Sequence, residues 1–139
     1  MIKKRILDPE RIRSIKGGFS FIPHRFLTDG FLDTLSKKEL LLYFFLILAS
    51  DRYGLSFYSY DAICSFIQFS IDEYIEARDG LIKKDLIAFD GTIFQVLDLP
   101  ENPVKVYPEE SFLHSNRVEK RSQVASLIQQ SLWETEGGR

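Results

Sequence analysis

The chain has 139 residues, of which 45% are apolar and 27% are charged. At about one domain per ~150 residues, it has room for one modest core and a terminal extension. These values exclude a multi-domain enzyme, bulk disorder and a disulfide-built scaffold. The single cysteine, Cys64, permits no intrachain disulfide and favours a reducing, cytoplasmic compartment.

The longest apolar run, Leu40 to Ala49, would span ~15 Å as a helix, against a bilayer core of ~30 Å. It therefore predicts a buried helix rather than a membrane span. The basic start of the chain leads into Leu7-Asp8-Pro9 instead of an apolar segment, so we expect no secretion signal.

The net charge of −2 conceals an asymmetry along the chain. Residues 1–25 carry a net charge of +5, residues 26–100 carry −6, and residues 101–139 carry −1. A clustered basic segment can face phosphates even in an acidic protein. The sequence pI of about 5.7 therefore does not argue against a nucleic-acid partner.

The chain begins with a segment that has no sustained helical period. Residues 1–20 predict a basic, partly flexible arm. We expect Phe19, Phe21 and Ile22 to anchor the chain to the core after this arm. Pro23 favours the first turn of a short helix that follows.

Two capping-box sequences mark the starts of helices. Ser36-Lys37-Lys38-Glu39 starts the first long helix, which is apolar on nearly every face and is therefore expected in the middle of the domain. After a short extended stretch, Ser59 or Tyr60 opens a second, shorter helix. Ser70-Ile71-Asp72-Glu73 starts the third helix, three residues after the second helix ends.

The third helix is predicted to place six residues near one face: Ile71, Tyr74, Ile75, Arg78, Leu81 and Ile82. Gly80 lies within this helix, where glycine lowers the stability of the helix by roughly 1 kcal/mol relative to alanine. Either a neighbour packs closely against this glycine, or the helix ends earlier.

Asp90-Gly91 separates two short strand-like runs and predicts a two-residue type I′ hairpin, in which both turn residues have positive φ. Three prolines within residues 100–108 then predict a linker. From residue 116 to residue 133, apolar side chains recur along one stripe of a further helix.

The order helix, short strand, helix, turn, helix, hairpin is that of a winged helix-turn-helix. The expected fold class is mainly α with a small β-hairpin (α+β). The predicted organisation is a basic arm (1–20), the winged helix-turn-helix domain (21–99), a linker (100–115), a C-terminal amphipathic helix (116–133) and a disordered tail (134–139).

Residues 36–97 resemble winged helix-turn-helix domains of bacterial plasmid replication initiators and primosomal replication proteins. The resemblance lies in Leu-Ser-Lys-Lys-Glu, in Asp51-Arg52-Tyr53-Gly54-Leu55-Ser56 and in Leu81-Ile82-Lys83-Lys84-Asp85-Leu86-Ile87. Residues 5–99, with Asp8-Pro9-Glu10-Arg11-Ile12-Arg13 and His24-Arg25-Phe26, are also similar to small winged-helix proteins associated with bacterial insertion-sequence transposition genes. Both resemblances imply DNA binding, and their motifs support the fold better than the activity.

In helix-turn-helix proteins the last helix of the motif enters the major groove. Here that helix carries four acids among its outward residues, which phosphates would repel. The basic arm is the better candidate for DNA contact, although it could also be a solubilising terminus. The candidate DNA-binding residues are Lys3, Lys4, Arg5, Arg11, Arg13, Lys16, Lys83 and Lys84.

A second hypothesis is a protein-interaction or self-assembly module that uses the acidic third helix and the C-terminal helix, with a homodimer as one expected product. Its candidate interface residues are Asp72, Glu73, Glu76, Val118, Ala125, Ile128 and Leu132.

The remaining side chains with chemical potential favour packing roles. The aromatic cluster of Tyr53, Phe57, Tyr58 and Tyr60 could stack on bases, but core and rim packing is the commoner role. The wing tip has no Lys or Arg, the two histidines lack metal-ligand spacing, and Cys64 fits a buried helix position. We therefore expect no active site, metal, cofactor or small-molecule substrate.

Overall fold

A computed structural model of the chain describes residues 2–104 and 119–130. Residues 2–104 contain the helices α1 (Arg25–Thr28), α2 (Lys37–Ala49), α3 (Tyr60–Ile67) and α4 (Ile71–Lys83), with 3-10 turns at Pro9–Arg11 and Leu32–Thr34. Residues 119–130 are also helical. The strands β1 (Leu55–Ser56), β2 (Ile87–Phe89) and β3 (Phe94–Val96) form an antiparallel sheet in the order β1-β3-β2. The predicted class, mainly α with a small β-hairpin, is confirmed.

Both predicted capping boxes are present. The Ser36 hydroxyl accepts from the Glu39 amide at 3.2 Å, and the Glu39 carboxylate accepts from the Ser36 amide at 2.7 Å. Ser70 and Glu73 form the equivalent pair at 3.2 and 2.9 Å. Each pair satisfies two amides that the first turn of a helix leaves without partners, so α2 and α4 begin where the sequence predicts.

The core lies between α2, α4 and the sheet. Its most completely buried large side chains are Phe31, Leu42, Leu46, Ile63, Leu81, Leu86 and Phe94. Each contributes roughly 1.5–3 kcal/mol by leaving water. The core draws on α2, α3, α4 and the hairpin together, so these elements stabilise one another.

Helix α2 is less enclosed than its composition predicts. It buries Leu42 and Leu46 but leaves Leu41, Phe44 and Leu48 exposed. A domain this small has too few elements to surround a helix, so one apolar face remains in contact with water. Among the residues that the structure describes, no helix has the length and apolar character needed to cross a membrane.

The aromatic residues at the end of the arm are not core anchors. Phe19, Phe21 and Ile22 are all exposed, and the expectation that they enter the core is wrong. Phe19 and Phe21 instead line a groove of about 690 Å³ that also contacts Tyr43 and Ile47 of α2. The first buried side chain of the described chain is Phe26, in α1.

The hairpin is present, but its turn differs from the predicted one. Phe89 pairs with Phe94, so the loop contains four residues instead of two. Gly91 has φ of +99°, whereas Asp90 does not have a positive φ. The Asp90 carboxylate accepts from the amides of Thr92 and Ile93 at 2.8 and 2.7 Å. This side-chain turn replaces the type I′ geometry because it satisfies the loop amides directly.

Gly54 joins the hairpin to the first half of the domain. Its φ is +83°, and a Cβ there would lie 2.4 Å from the carbonyl oxygen of Val96. The Val96 amide donates to the Gly54 carbonyl at 2.8 Å. Only glycine permits both this backbone conformation and this close approach.

Candidate nucleic-acid interface

A short turn connects the two helices of the predicted helix-turn-helix. Helix α3 ends at Ile67, and the next residue, Gln68, adopts the left-handed conformation with φ of 58° and ψ of 46°. The Phe69 amide donates to the Cys64 carbonyl, and Ser70 caps α4. The left-handed residue reverses the chain after α3 and lets α4 begin at once.

The buried face of helix α4 differs in part from the predicted one. Tyr74 and Leu81 are buried as expected, together with Ala77. Ile71, Ile75 and Ile82, predicted to share its face, are 50%, 39% and 40% exposed. These three isoleucines lie on the outward side of the helix, because positions 4 and 11 residues apart share a face.

Acidic side chains occupy the rest of the outward side of α4. Asp72, Glu76 and Asp79 are all exposed, and Lys83 is the cation on the same stripe. At about 100° per residue, the acidic stripe lies next to the isoleucine stripe. The outward surface of the helix that would enter a major groove is therefore half apolar and half acidic.

Glu73, the fourth acid of α4, has a structural role. It accepts from the Ser70 amide and forms an ion pair with Lys38 of α2 at 2.9 Å. The backbone hydrogen bond from Ser70, followed by the hydrogen bond from Lys38, lowers the pKa of Glu73 to about 2. Glu73 is thus the cap of α4 and its link to α2.

The two candidate lysines at the end of α4 have different environments. Lys83 is exposed. Lys84 is buried, and its ammonium contacts the Glu39 carboxylate and the Thr34 carbonyl. A buried, paired ammonium cannot reach a phosphate, so the prediction that Lys84 binds DNA is wrong.

A groove lies between α4, the hairpin and the segment before α3; we call it the wing groove. Its volume is about 550 Å³, and its lining includes Phe57, Tyr58, Tyr60, Ile71, Ile75 and Phe89. The Arg78 guanidinium in its wall lies 5.4 Å from the ring centroids of both Tyr74 and Phe89. The four aromatic residues that lie close together in the sequence therefore line two different grooves. The wing groove contains Phe57, Tyr58 and Tyr60, and the groove near Phe19 contains Tyr53.

The basic arm lies on the surface throughout its described length. Every residue from 2 to 24 is exposed. A single 3-10 turn, Pro9–Arg11, interrupts the arm, and the Asp8 side chain caps it. The exposed candidate cations of the arm are Lys3, Lys4, Arg5, Arg11, Arg13 and Lys16.

Arg25 fixes the point where the arm leaves the domain. Its guanidinium donates to the carbonyls of Leu99, Pro100 and Glu101 at 3.3, 2.8 and 3.2 Å. It also lies 5.2 Å from the ring centroid of Phe31. The start and the end of the domain are therefore held together at one arginine.

The predicted C-terminal helix is partly described. Residues 119–130 are helical, with Ala125 and Ile128 half-buried, whereas Val118 and Leu132 lie outside the described residues. Arg121 donates to the Asp33 carboxylate. A charged contact therefore joins this helical segment to the 3-10 turn before α2.

Sequence reasoning missed two side chains that shape the surface around α4. Lys38 lies in the first turn of α2, and Arg78 lies within α4. The contact of Lys38 with Glu73 joins α2 to α4, and the contact of Arg78 with the Phe89 ring joins α4 to the hairpin. No local spacing signals such contacts.

Comparison with known proteins supports the assignment of the fold. A family model described as a helix-turn-helix domain matches residues 33–87, under half of the chain. Neither curated proteins nor solved structures gave a match. The matched segment contains α2, α3 and α4, and the β2–β3 hairpin lies at its end. Residues 33–87 are therefore similar to a helix-turn-helix domain, and the hairpin has the place that the wing takes in a winged helix.

Proposed function

We propose that the protein is a non-enzymatic, cytoplasmic DNA-binding factor with an accessory or regulatory role in replication, transcription or transposition. Its partner in this proposal is double-stranded DNA, and no cofactor is required. The observation that carries the proposal is an exposed basic arm attached to a helix-turn-helix domain.

The arm, rather than α4, supplies the affinity in this proposal. Asp72, Glu76 and Asp79 would bring three carboxylates to the phosphate rows that border a major groove. The arm instead offers six exposed cations that can neutralise phosphates along the backbone or in a minor groove. The helix-turn-helix domain then serves mainly as the platform from which the arm extends.

Arm-led binding has a characteristic salt dependence. Each phosphate contact releases condensed counterions and contributes about −0.9 to the slope of log K against log salt. Six contacts give a slope of roughly −5. Raising the salt from 50 to 200 mM should therefore weaken binding by about three orders of magnitude.

The proposal is tested by fluorescence anisotropy with a labelled random duplex of about 30 base pairs. One variant neutralises three cations of the arm: Arg11→Gln, Arg13→Gln and Lys16→Gln. A matched variant neutralises three exposed cations elsewhere: Lys37→Gln, Arg52→Gln and Lys120→Gln.

The arm variant should lose about three units of salt slope, and deletion of residues 2–16 should abolish binding. The matched variant, which has the same net charge as the arm variant, should retain most of the affinity. A salt-independent affinity, or equal losses in the two variants, would refute arm-led binding.

A second candidate function is self-assembly through α4 and the C-terminal helical segment. The exposed isoleucines of α4 favour it, because soluble domains seldom leave a contiguous apolar stripe without a partner. The candidate interface would use Asp72, Glu76, Ala125 and Ile128. Removal of residues 108–139 should convert a dimer to a monomer in sedimentation equilibrium, and an unchanged mass would argue against a role for the C-terminal segment.

A further inference from the structure

The outward face of α4 and the wing groove form one continuous surface, because Ile71 and Ile75 belong to both. The surface combines exposed apolar side chains with an adjacent acidic stripe. The groove volume of about 550 Å³ falls within the ~300–1,000 Å³ of pockets that bury ligands. A suitable occupant is therefore an apolar segment that also carries positive charge.

The chain itself contains a segment of this composition. Residues 11–16 of the arm include three cations, Arg11, Arg13 and Lys16, and two isoleucines, Ile12 and Ile15. The isoleucines are 59% and 68% exposed, so the arm of a single chain leaves them in water. Exposed apolar and charged surfaces are thus present on both the arm and α4, although Asp79 of the acidic stripe already pairs with Arg78 at 3.2 Å.

We infer that residues 11–16 of one chain dock on the α4 face and wing groove of a second copy of the chain. Ile12 and Ile15 pack against Ile71, Ile75 and the aromatic lining of the groove. The three arm cations lie along the acidic stripe of Asp72, Glu76 and Asp79. This inference deepens the second candidate function by naming the occupant of α4, and it does not require that the protein bind DNA.

Charge selects this occupant over nucleic acid. Carboxylates repel phosphates, whereas each exposed contact between an arm cation and an α4 acid is weakly favourable. Burial of the isoleucines adds affinity that salt does not screen. Self-association should therefore weaken with salt but persist at high salt more than DNA binding does.

The inference also links self-association to DNA binding. Cations of residues 11–16 that are docked on a neighbouring α4 cannot contact phosphates at the same time. DNA and a second copy therefore compete for the arm, and each weakens the binding of the other by the same factor.

Sedimentation equilibrium of the full chain, without DNA, tests the inference. The arm variant is Arg11→Gln, Arg13→Gln and Lys16→Gln. The α4 variant neutralises the acidic stripe: Asp72→Asn, Glu76→Gln and Asp79→Asn. A matched control neutralises three exposed acids elsewhere: Asp98→Asn, Glu101→Gln and Glu119→Gln.

The native chain and the matched control should self-associate with similar dissociation constants. The arm variant and the α4 variant should each associate roughly ten-fold more weakly, since three exposed charge pairs are lost. The substitution Phe57→Ser, at an exposed wall of the groove, should also weaken association while leaving the fold intact.

Mixing the two triple variants gives the sharpest result. The arm variant has an intact α4 face and the α4 variant has an intact arm, so a one-to-one mixture should associate more strongly than either variant alone. Failure to complement, or a native chain that is monomeric at all concentrations, would overturn the inference. Association that requires α4 but not the arm would also overturn it, while leaving the second candidate function in place.

Discussion

The substitution Gly80→Ala should destabilise the domain even though it replaces the poorest ordinary helix former with the best. A Cβ at position 80 would lie 1.8 Å from Oε2 and 2.8 Å from Cδ of Glu39. Glu39 is held in place because it accepts from the Ser36 amide and pairs with the buried Lys84. The carboxylate cannot move away from the new methyl group without leaving one of these partners.

The magnitude follows from three contributions. Alanine in a helix interior stabilises by about 1 kcal/mol relative to glycine. Loss of the cap on α2 costs about 1 kcal/mol, and a buried ammonium without its partner costs roughly 3–5 kcal/mol. Because the carboxylate can keep part of its contact with Lys84, we expect a net destabilisation of about 2–4 kcal/mol.

Urea unfolding followed by circular dichroism measures this difference, and the midpoint should fall with an unchanged slope. The same substitution in a Glu39→Ala background should stabilise by about 0.5–1 kcal/mol, because the clash has been removed. Gly18→Ala, where a Cβ meets no atom within 4 Å, is the neutral control. Gly80→Ala of native or higher stability would refute the reasoning.

Three further predictions concern single contacts. Because the pKa of Glu73 is lowered to about 2, its stabilisation is present above its ordinary value near 4.5 and is lost as the pH falls toward 2. In the Glu73→Gln variant, the free energy of unfolding should depend less on pH between about 4.5 and 2, as measured by acid titration. In urea unfolding, Lys84→Gln should lower the free energy of unfolding by several kcal/mol, whereas Lys83→Gln should lower it by less than about 0.5 kcal/mol. Arg121→Ala should speed amide hydrogen exchange in residues 119–130, whereas Lys120→Ala should not.

Local sequence patterns predicted the elements because each depends on neighbouring residues. The capping boxes at Ser36 and Ser70 need only a hydroxyl and a carboxylate three positions apart, and both form as predicted. The hairpin at Asp90-Gly91 was also predicted, but the predicted type I′ turn was wrong. There the Asp90 side chain competes with the backbone for the loop amides, and the sequence does not show which prevails.

The candidate site was predicted less completely. The exposed arm was predicted because residues 1–20 show no sustained helical period that would turn an apolar face toward a core. The outward isoleucines of α4 and the burial of Lys84 could not be predicted, because a helical pattern does not say which of two partly apolar faces a neighbour covers. In α4 the inner face contains Tyr74, Ala77 and Leu81.

The sequence by itself determined the order of the elements, the helix starts and the separation of a basic arm from an acidic body, since each depends on residues close together in the chain. Tertiary structure decided which faces are covered. Gly80 shows the difference: the sequence left close packing and an early helix end equally open. In the structure α4 continues past Gly80 to Lys83, and the approach of Glu39 from α2, 41 positions away, shows that the glycine makes room for a buried ion pair.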